Sequence, residues 1–168
     1  MRTILLALWL FGAMTSISHA GEVTVTWPDP TTFTDIRPAN EMSGDLQERL
    51  VRELNQVFDD LARELPDGYK WSVAVTDVDL AGEVRPLFRW WSNEIRVVKA
   101  SDWPRISFQY DLKDAQGHTV ASAGEDVRDM GFLMHSGASI GRTSFRYEER
   151  MLRDWFHLQQ RQTTFPVR

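Results

Sequence analysis

A β-hairpin is the best-defined element of this sequence, and the rest of the chain has to pack around it. Apolar and polar residues alternate along residues 106–113, with the period of two that is typical of a half-buried strand. Residues 114–117, Asp-Ala-Gln-Gly, favour a turn in which Gly117 can adopt a positive φ. A second extended run follows over residues 118–125. The pattern therefore predicts two antiparallel neighbours in a sheet.

Three other segments are predicted to be strands. Residues 21–27 and 69–80 alternate in the same way, and the short run 95–98 leads into the hairpin. Within residues 69–80 the apolar positions change parity near Thr76 and Asp77. This change indicates either a β-bulge at that point or a strand end that is buried on both faces.

Two segments have the apolar spacing of amphipathic helices. The first covers residues 45–65, with Asp45 predicted to cap its first turn and Pro66-Asp67-Gly68 to end it. The second is predicted to begin near Ser144, after a glycine-rich loop over residues 130–144.

The order of the elements is strand, helix, strand, strand, hairpin, helix. Several neighbouring strands are joined by short turns, so we predict an α+β fold. Its core would be a mostly antiparallel sheet of about five strands, with two amphipathic helices packed on one face. We expect a single domain over residues 21–168, in which the polar tail 158–168 frays.

The first twenty residues have the features of a secretory signal. Arg2 supplies the positive start, residues 4–13 form an apolar core too short to span a bilayer, and Ser18-His19-Ala20 fits a cleavage site. The alternative is an uncleaved anchor. We expect cleavage after Ala20, export to the periplasm and no stable membrane insertion of the mature chain.

Composition narrows the possible chemistry and the possible partners. The chain has no cysteine, so it forms no disulfide and has no thiolate site. Removal of Arg2 with the signal changes the formal charge from −5 to −6. Because binding to phosphate backbones needs clustered positive charge, we expect no nucleic-acid partner.

One motif suggests a serine nucleophile. Residues 137–141, Gly-Ala-Ser-Ile-Gly, match the G-x-S-x-G pattern of hydrolases, with Ser139 at the nucleophile position. No good strand pattern precedes this motif. The acid and the base that fit the Ser-Asp-His chain order of these hydrolases are Asp154 and His157, which are only three residues apart. The pattern is therefore more easily explained as part of a glycine-rich loop.

Two further groups of residues could form a carboxylate site or a metal site. Asp77 and Asp79 share one face of a strand, so they can form a carboxylate pair or a cation site, or a solvated strand end. Met130, Met134 and His135 offer ligands to copper, but methionines with this spacing are more often packing residues. We predict no metal site and no cofactor.

A binding surface is the stronger functional prediction. Aromatic and arginine side chains dominate interface hot spots, and here they cluster before and after the short strand. The candidates are Arg89, Trp90, Trp91, Trp103 and Arg105. The competing interpretations are that the rings close the end of the core and that Arg105 pairs with a carboxylate on the same strand face.

Four segments of the chain resemble one bacterial family. They are VTVTWPDPTTFTDI, VAVTDVDLAGE, IRVV with WPRISFQYDLKDAQGHTVASAGEDVRDMGF, and SFRYEERMLRDWF. Together they are similar to the family called domain of unknown function 3016, whose members look like secreted proteobacterial proteins without an established activity. The resemblance implies a secreted single domain and transfers no catalytic residue.

The sequence therefore predicts a non-enzymatic periplasmic domain that binds a protein or a cell-envelope component. The alternative is a small periplasmic hydrolase that uses Ser139 or the pair of Asp77 and Asp79.

Overall fold

The computed structural model describes residues 20–35, 42–88, 91–134 and 145–168. Within these residues the chain forms six strands, two α-helices and one short 3-10 helix. In chain order they are β1 (Glu22–Thr26), the 3-10 helix (Pro30–Thr32), α1 (Met42–Ala62), β2 (Lys70–Asp79), β3 (Glu83–Phe88), β4 (Trp91–Val97), β5 (Arg105–Lys113), β6 (Thr119–Arg128) and α2 (Arg146–Arg161).

The main sheet has four strands in the order β1-β2-β5-β6, and β3 pairs with β4 in a separate two-stranded hairpin. The prediction of an α+β fold with two helices is confirmed. The predicted sheet of about five mostly antiparallel strands is close but not exact, because the main sheet has four strands and β1 runs parallel to β2. A helix connects these two strands, and a strand–helix–strand unit in one sheet places its strands parallel.

One face of the sheet carries the core. Trp71, Val73 and Val75 of β2 alternate with exposed or half-buried residues, and the same pattern continues along β5. The buried side chains of both strands and of both helices belong to a single apolar cluster. The opposite face is polar and is not covered by any helix of the described residues.

The change of parity that the sequence shows within residues 69–80 is a β-bulge in β2. Val75 pairs with Phe108 and Asp77 pairs with Ser107, so Thr76 is an extra residue in β2. The hydroxyl of Thr76 donates to the carbonyl oxygen of Ser107. Beyond the bulge, Val78 stays in the core while Asp77 and Asp79 lie on the polar face.

The hairpin of β5 and β6 is confirmed. Residues 105–113 pair antiparallel with residues 119–128, and Gly117 adopts a φ of 86° in the turn. One carboxylate oxygen of Asp114 accepts hydrogen bonds from the backbone N–H groups of Gln116 and His118. These bonds lower the pKa of Asp114, the one to His118 having the larger effect.

Both helix starts differ slightly from the prediction. Helix α1 begins at Met42, so Asp45 lies inside the first turn and is not its cap. An acidic side chain in this position still interacts favourably with the positive end of the helix dipole. Helix α2 begins at Arg146, two residues after the predicted Ser144.

The tail, residues 158–168, packs against the core, although the sequence predicts that it frays. Helix α2 continues to Arg161, and Thr163 then adopts a φ of 60° that turns the chain back. The N–H groups of Thr164 and Phe165 both donate to the carbonyl oxygen of Gln159. Phe165 is only 1% exposed and lies in the core cluster. No helix among the described residues has both the length and the apolar character needed to cross a bilayer.

Candidate functional site

Four of the predicted site residues meet where β2 ends and β5 begins. Asp79 lies directly opposite Arg105 in the antiparallel register, and Asp77, opposite Ser107, lies two positions further along the pair. Trp103 precedes β5 by two residues. The β-bulge brings this group together, because it puts both carboxylates on the face that carries Arg105.

Arg105 is the centre of an ion-pair network. Its guanidinium hydrogen-bonds to the Asp77 carboxylate, and it lies 3.8 Å from Asp79 and 4.0 Å from Asp126. Asp77 also accepts hydrogen bonds from the backbone N–H and the hydroxyl of Thr34, at 2.8 and 2.9 Å. Asp77 therefore joins the segment after β1 to the sheet.

A polar cleft of about 410 Å³ lies beside this network. Its wall includes the partly exposed indole of Trp103, which is 37% exposed. The polar side chains of the lining are those of Asp35, Asp79, Lys99, Ser101 and Asp102. Three carboxylates, one ammonium group, one hydroxyl and one indole thus converge on a space that suits a small polar ligand.

Backbone hydrogen bonds fix the walls of the cleft. The N–H of Leu80 donates to a carboxylate oxygen of Asp35 at 2.8 Å, and the N–H of Gly82 donates to the carbonyl oxygen of Asp102 at 3.0 Å. The Ser101 hydroxyl donates to the Asp102 carboxylate at 2.7 Å. The segment before β5 is thereby held against the end of β2.

Burial raises the pKa of Asp79 above its usual value, and the nearby charges of Asp77 and Asp102 act in the same direction. The charge of Arg105 and a hydrogen bond with Asp35 oppose this rise but do not cancel it. Asp79 therefore keeps a proton to higher pH than an ordinary aspartate.

A family model described as "Protein of unknown function (DUF3016)" matches residues 21–158. The chain belongs to this family. No curated protein and no solved structure matches the chain. The DUF3016 match covers the whole cleft, from Asp35 to Trp103, and ends before Phe165.

Substitution of Asp79 by asparagine is expected to stabilise this DUF3016 protein at neutral pH. Since the folded-state pKa is raised above about 3.8, ionised Asp79 costs stability at every pH above the raised value. That cost falls as the pH drops towards the unfolded value. We therefore expect Asp79→Asn to raise the melting temperature at pH 7 and to raise it less at pH 4.

Thermal melts at both pH values measure this effect. The matched control is Asp77→Asn, which weakens the acceptor of the bonds from Thr34 and Arg105 and should lower the melting temperature at pH 7. An equal change in melting temperature for Asp79→Asn at pH 7 and pH 4 would contradict the raised pKa of Asp79.

The side chains of the other aromatic candidates lie outside the part of the chain that the structure describes. Trp91 is the first residue of β4 and pairs with Phe88 in the separate hairpin. Arg89 and Trp90 lie outside the described residues. The binding surface at Trp90 and Trp91 stays a prediction.

The two residues predicted to assist Ser139 in a hydrolase have other partners in the structure. Asp154 pairs with Arg150 at 3.5 Å, and Nε2 of His157 lies 3.0 Å from a carboxylate oxygen of Glu64. Ser139 lies outside the described residues.

The predicted soft-ligand group is described only in part. Met130 and Met134 are 73% and 89% exposed, and His135 lies outside the described residues. In the described part of the chain, no three His, Cys, Asp or Glu residues are grouped so that they could hold a metal ion.

Sequence reasoning missed Asp35, Lys99, Ser101 and Asp102. Asp35 belongs to an irregular connector, and the other three belong to the turn before β5, so none has a periodic pattern around it. The only local signal was the position of Asp102 next to Trp103, a polar–aromatic pair at the start of a strand.

Proposed function

We propose that this DUF3016 protein is a non-enzymatic binding domain, exported to the periplasm, that binds a glycan of the cell envelope in the cleft beside Trp103. The observation that carries the proposal is the partly exposed indole in a small cleft with several carboxylates. Export rests on the signal features of residues 1–20.

The chemistry of the lining favours a sugar over a protein surface. An indole presents a flat apolar face to the C–H groups of a sugar ring, while carboxylates accept hydrogen bonds from its hydroxyls. Lys99 adds a donor on the same cleft, and the Ser101 oxygen adds an acceptor. Protein partners usually meet a much wider and flatter surface, whereas a concave space of about 410 Å³ falls within the size range of small-ligand sites.

A small hydrolase is the alternative function. The raised pKa of Asp79 is the observation that favours a hydrolase, because such a carboxyl group can donate a proton to a leaving group. Hydrolysis of a glycosidic bond also needs a second, unengaged carboxylate. Asp77 is already hydrogen-bonded to Thr34 and Arg105, so this pair of aspartates does not supply one.

Titration with envelope glycans tests the proposal. Purified peptidoglycan fragments and lipopolysaccharide core oligosaccharides would be titrated into the protein in a calorimeter. We expect one of the two classes to bind, and Trp103→Ala to weaken that binding about tenfold or more, as loss of a central aromatic contact does. The matched control is Val120→Ala, because Val120 is 43% exposed and lies outside the cleft.

Three results would decide against the proposal. They are no binding by either glycan class, equal affinity of the wild type and Trp103→Ala, and release of new reducing ends from the bound glycan. The last would support the hydrolase.

A further inference from the structure

A second cleft lies between α2 and the end of β6. It has a volume of about 320 Å³, and its apolar lining comes from Met151, Trp155 and Leu158 of α2 together with Val127 of β6. Leu158 is 40% exposed, so part of this lining faces solvent. Among the described lining residues, none belongs to both clefts.

Four charged residues are among the described lining of the second cleft: Arg128 and Asp154 are in ion pairs, and the other two are Arg161 and Asp129. Arg128 forms two hydrogen bonds with Asp126, Asp154 pairs with Arg150, and Asp129 accepts the backbone N–H of Gly131. The guanidinium of Arg161 is exposed and has no ion-pair partner in the described part of the chain. This cleft therefore offers an apolar wall with an available cation at its rim, which complements an apolar group that carries a carboxylate.

A buried donor lies in the same wall. Trp155 is 94% buried, and its indole N–H has no acceptor among the described residues. Buried indole N–H groups usually have a partner. In the described structure this N–H is enclosed, so a ligand in the cleft would contact other parts of the wall.

The strand next to the cleft has an open edge. Strand β6 is the last strand of the main sheet, and no described strand pairs with its outer side. It extends for ten residues from Thr119 to Arg128 without proline, and most of its side chains are exposed. Its outer N–H and C=O groups are thus available to an added strand.

We propose that the groove between β6 and α2 binds the carboxyl-terminal end of an extended peptide whose last residue is apolar. The last side chain occupies the cleft, the terminal carboxylate pairs with Arg161, and the preceding residues add to the edge of β6. Because the cleft lies at the carboxyl end of β6, the peptide runs parallel to β6 and pairs with it through main-chain hydrogen bonds. This site is independent of the Trp103 cleft.

Nuclear magnetic resonance with the ¹⁵N-labelled protein tests the proposal. The probe is a mixture of six-residue peptides with random first positions and Leu, Ile, Val or Phe last, prepared both as free acids and as amides. We expect the free acids to shift amide resonances of β6 and of residues 151–161 with saturation. We also expect Arg161→Gln to weaken this binding about tenfold, as loss of a charge-assisted pair does.

The matched control is Arg52→Gln, because Arg52 is also exposed on a helix, has no ion-pair partner among the described residues and lies outside both clefts. It should leave the titration unchanged. Absence of saturation with the free acids, or equal shifts with the amides, would overturn the proposal. Decanoate that shifts the same resonances as strongly as the free-acid peptides would also overturn it and would assign the cleft to a small apolar acid.

Discussion

Replacement of Phe165 by alanine is expected to lower the free energy of unfolding by about 4 kcal/mol, the usual cost of deleting a buried phenylalanine ring. Phe165 is 1% exposed, and its ring centroid lies 5.2–5.7 Å from those of four other aromatic residues. Those residues are Trp71, Tyr110, Trp155 and Phe156. Its removal would leave a cavity that rigid rings close poorly.

Urea unfolding of the variant measures this loss. Val167→Ala is the matched control, since Val167 is two residues further along the same tail and is 68% exposed. We expect its effect to stay within about 0.5 kcal/mol. If both variants unfolded at the wild-type midpoint, the tail would not be part of the core in solution.

The tail shows why part of the fold was not predictable from the sequence. Phe165 follows a polar run and is followed by a proline, so neither the helical nor the strand period marks it as buried. Its position depends on the turn at Thr163 and on two backbone bonds to Gln159, and threonine is not a residue type that marks a positive φ in a sequence. By contrast, the hairpin and the bulge at Thr76 are encoded locally, in the alternation and in its change of parity.

The parallel direction of β1 was missed for a different reason. The sequence shows a strand, a helix and a strand in succession, which is the signature of a parallel pair. The many short turns further along the chain favoured a mostly antiparallel sheet. Strand β2 in fact pairs with β1 in parallel and with β5 in antiparallel orientation, so the sheet is mixed.

The Trp103 cleft was predictable only on the side formed by regular strands. Asp77, Asp79 and Arg105 could be placed on one face, because residues two apart on a strand point the same way. Asp35 is 44 residues from Asp79 in the chain and reaches the cleft through a loop. No sequence period connects residues that a loop brings together, so the loop half of the cleft needed the structure.

The Trp103 cleft depends on a buried carboxylate in α2. Glu148 is 0% exposed, and its Oε1 accepts a hydrogen bond from the backbone N–H of Ala81 at 2.8 Å. Ala81 follows β2 and lies between Leu80 and Gly82, which both line the cleft. It packs in a small apolar cluster with Phe132 and Tyr147. Glu148 thus holds the turn that forms one wall of the cleft.

Replacement of Glu148 by alanine is therefore expected to lower the free energy of unfolding by about 3 kcal/mol, because it leaves a cavity and removes a buried charged acceptor. Glu148→Gln keeps a carbonyl oxygen for the Ala81 N–H, so about 1 kcal/mol is expected for it. Urea unfolding of both variants gives these values. Glycan binding in the Trp103 cleft should weaken in Glu148→Ala even at temperatures where the variant stays folded, since the turn loses its anchor. A variant that unfolds like the wild type would show that apolar packing alone positions the turn after β2.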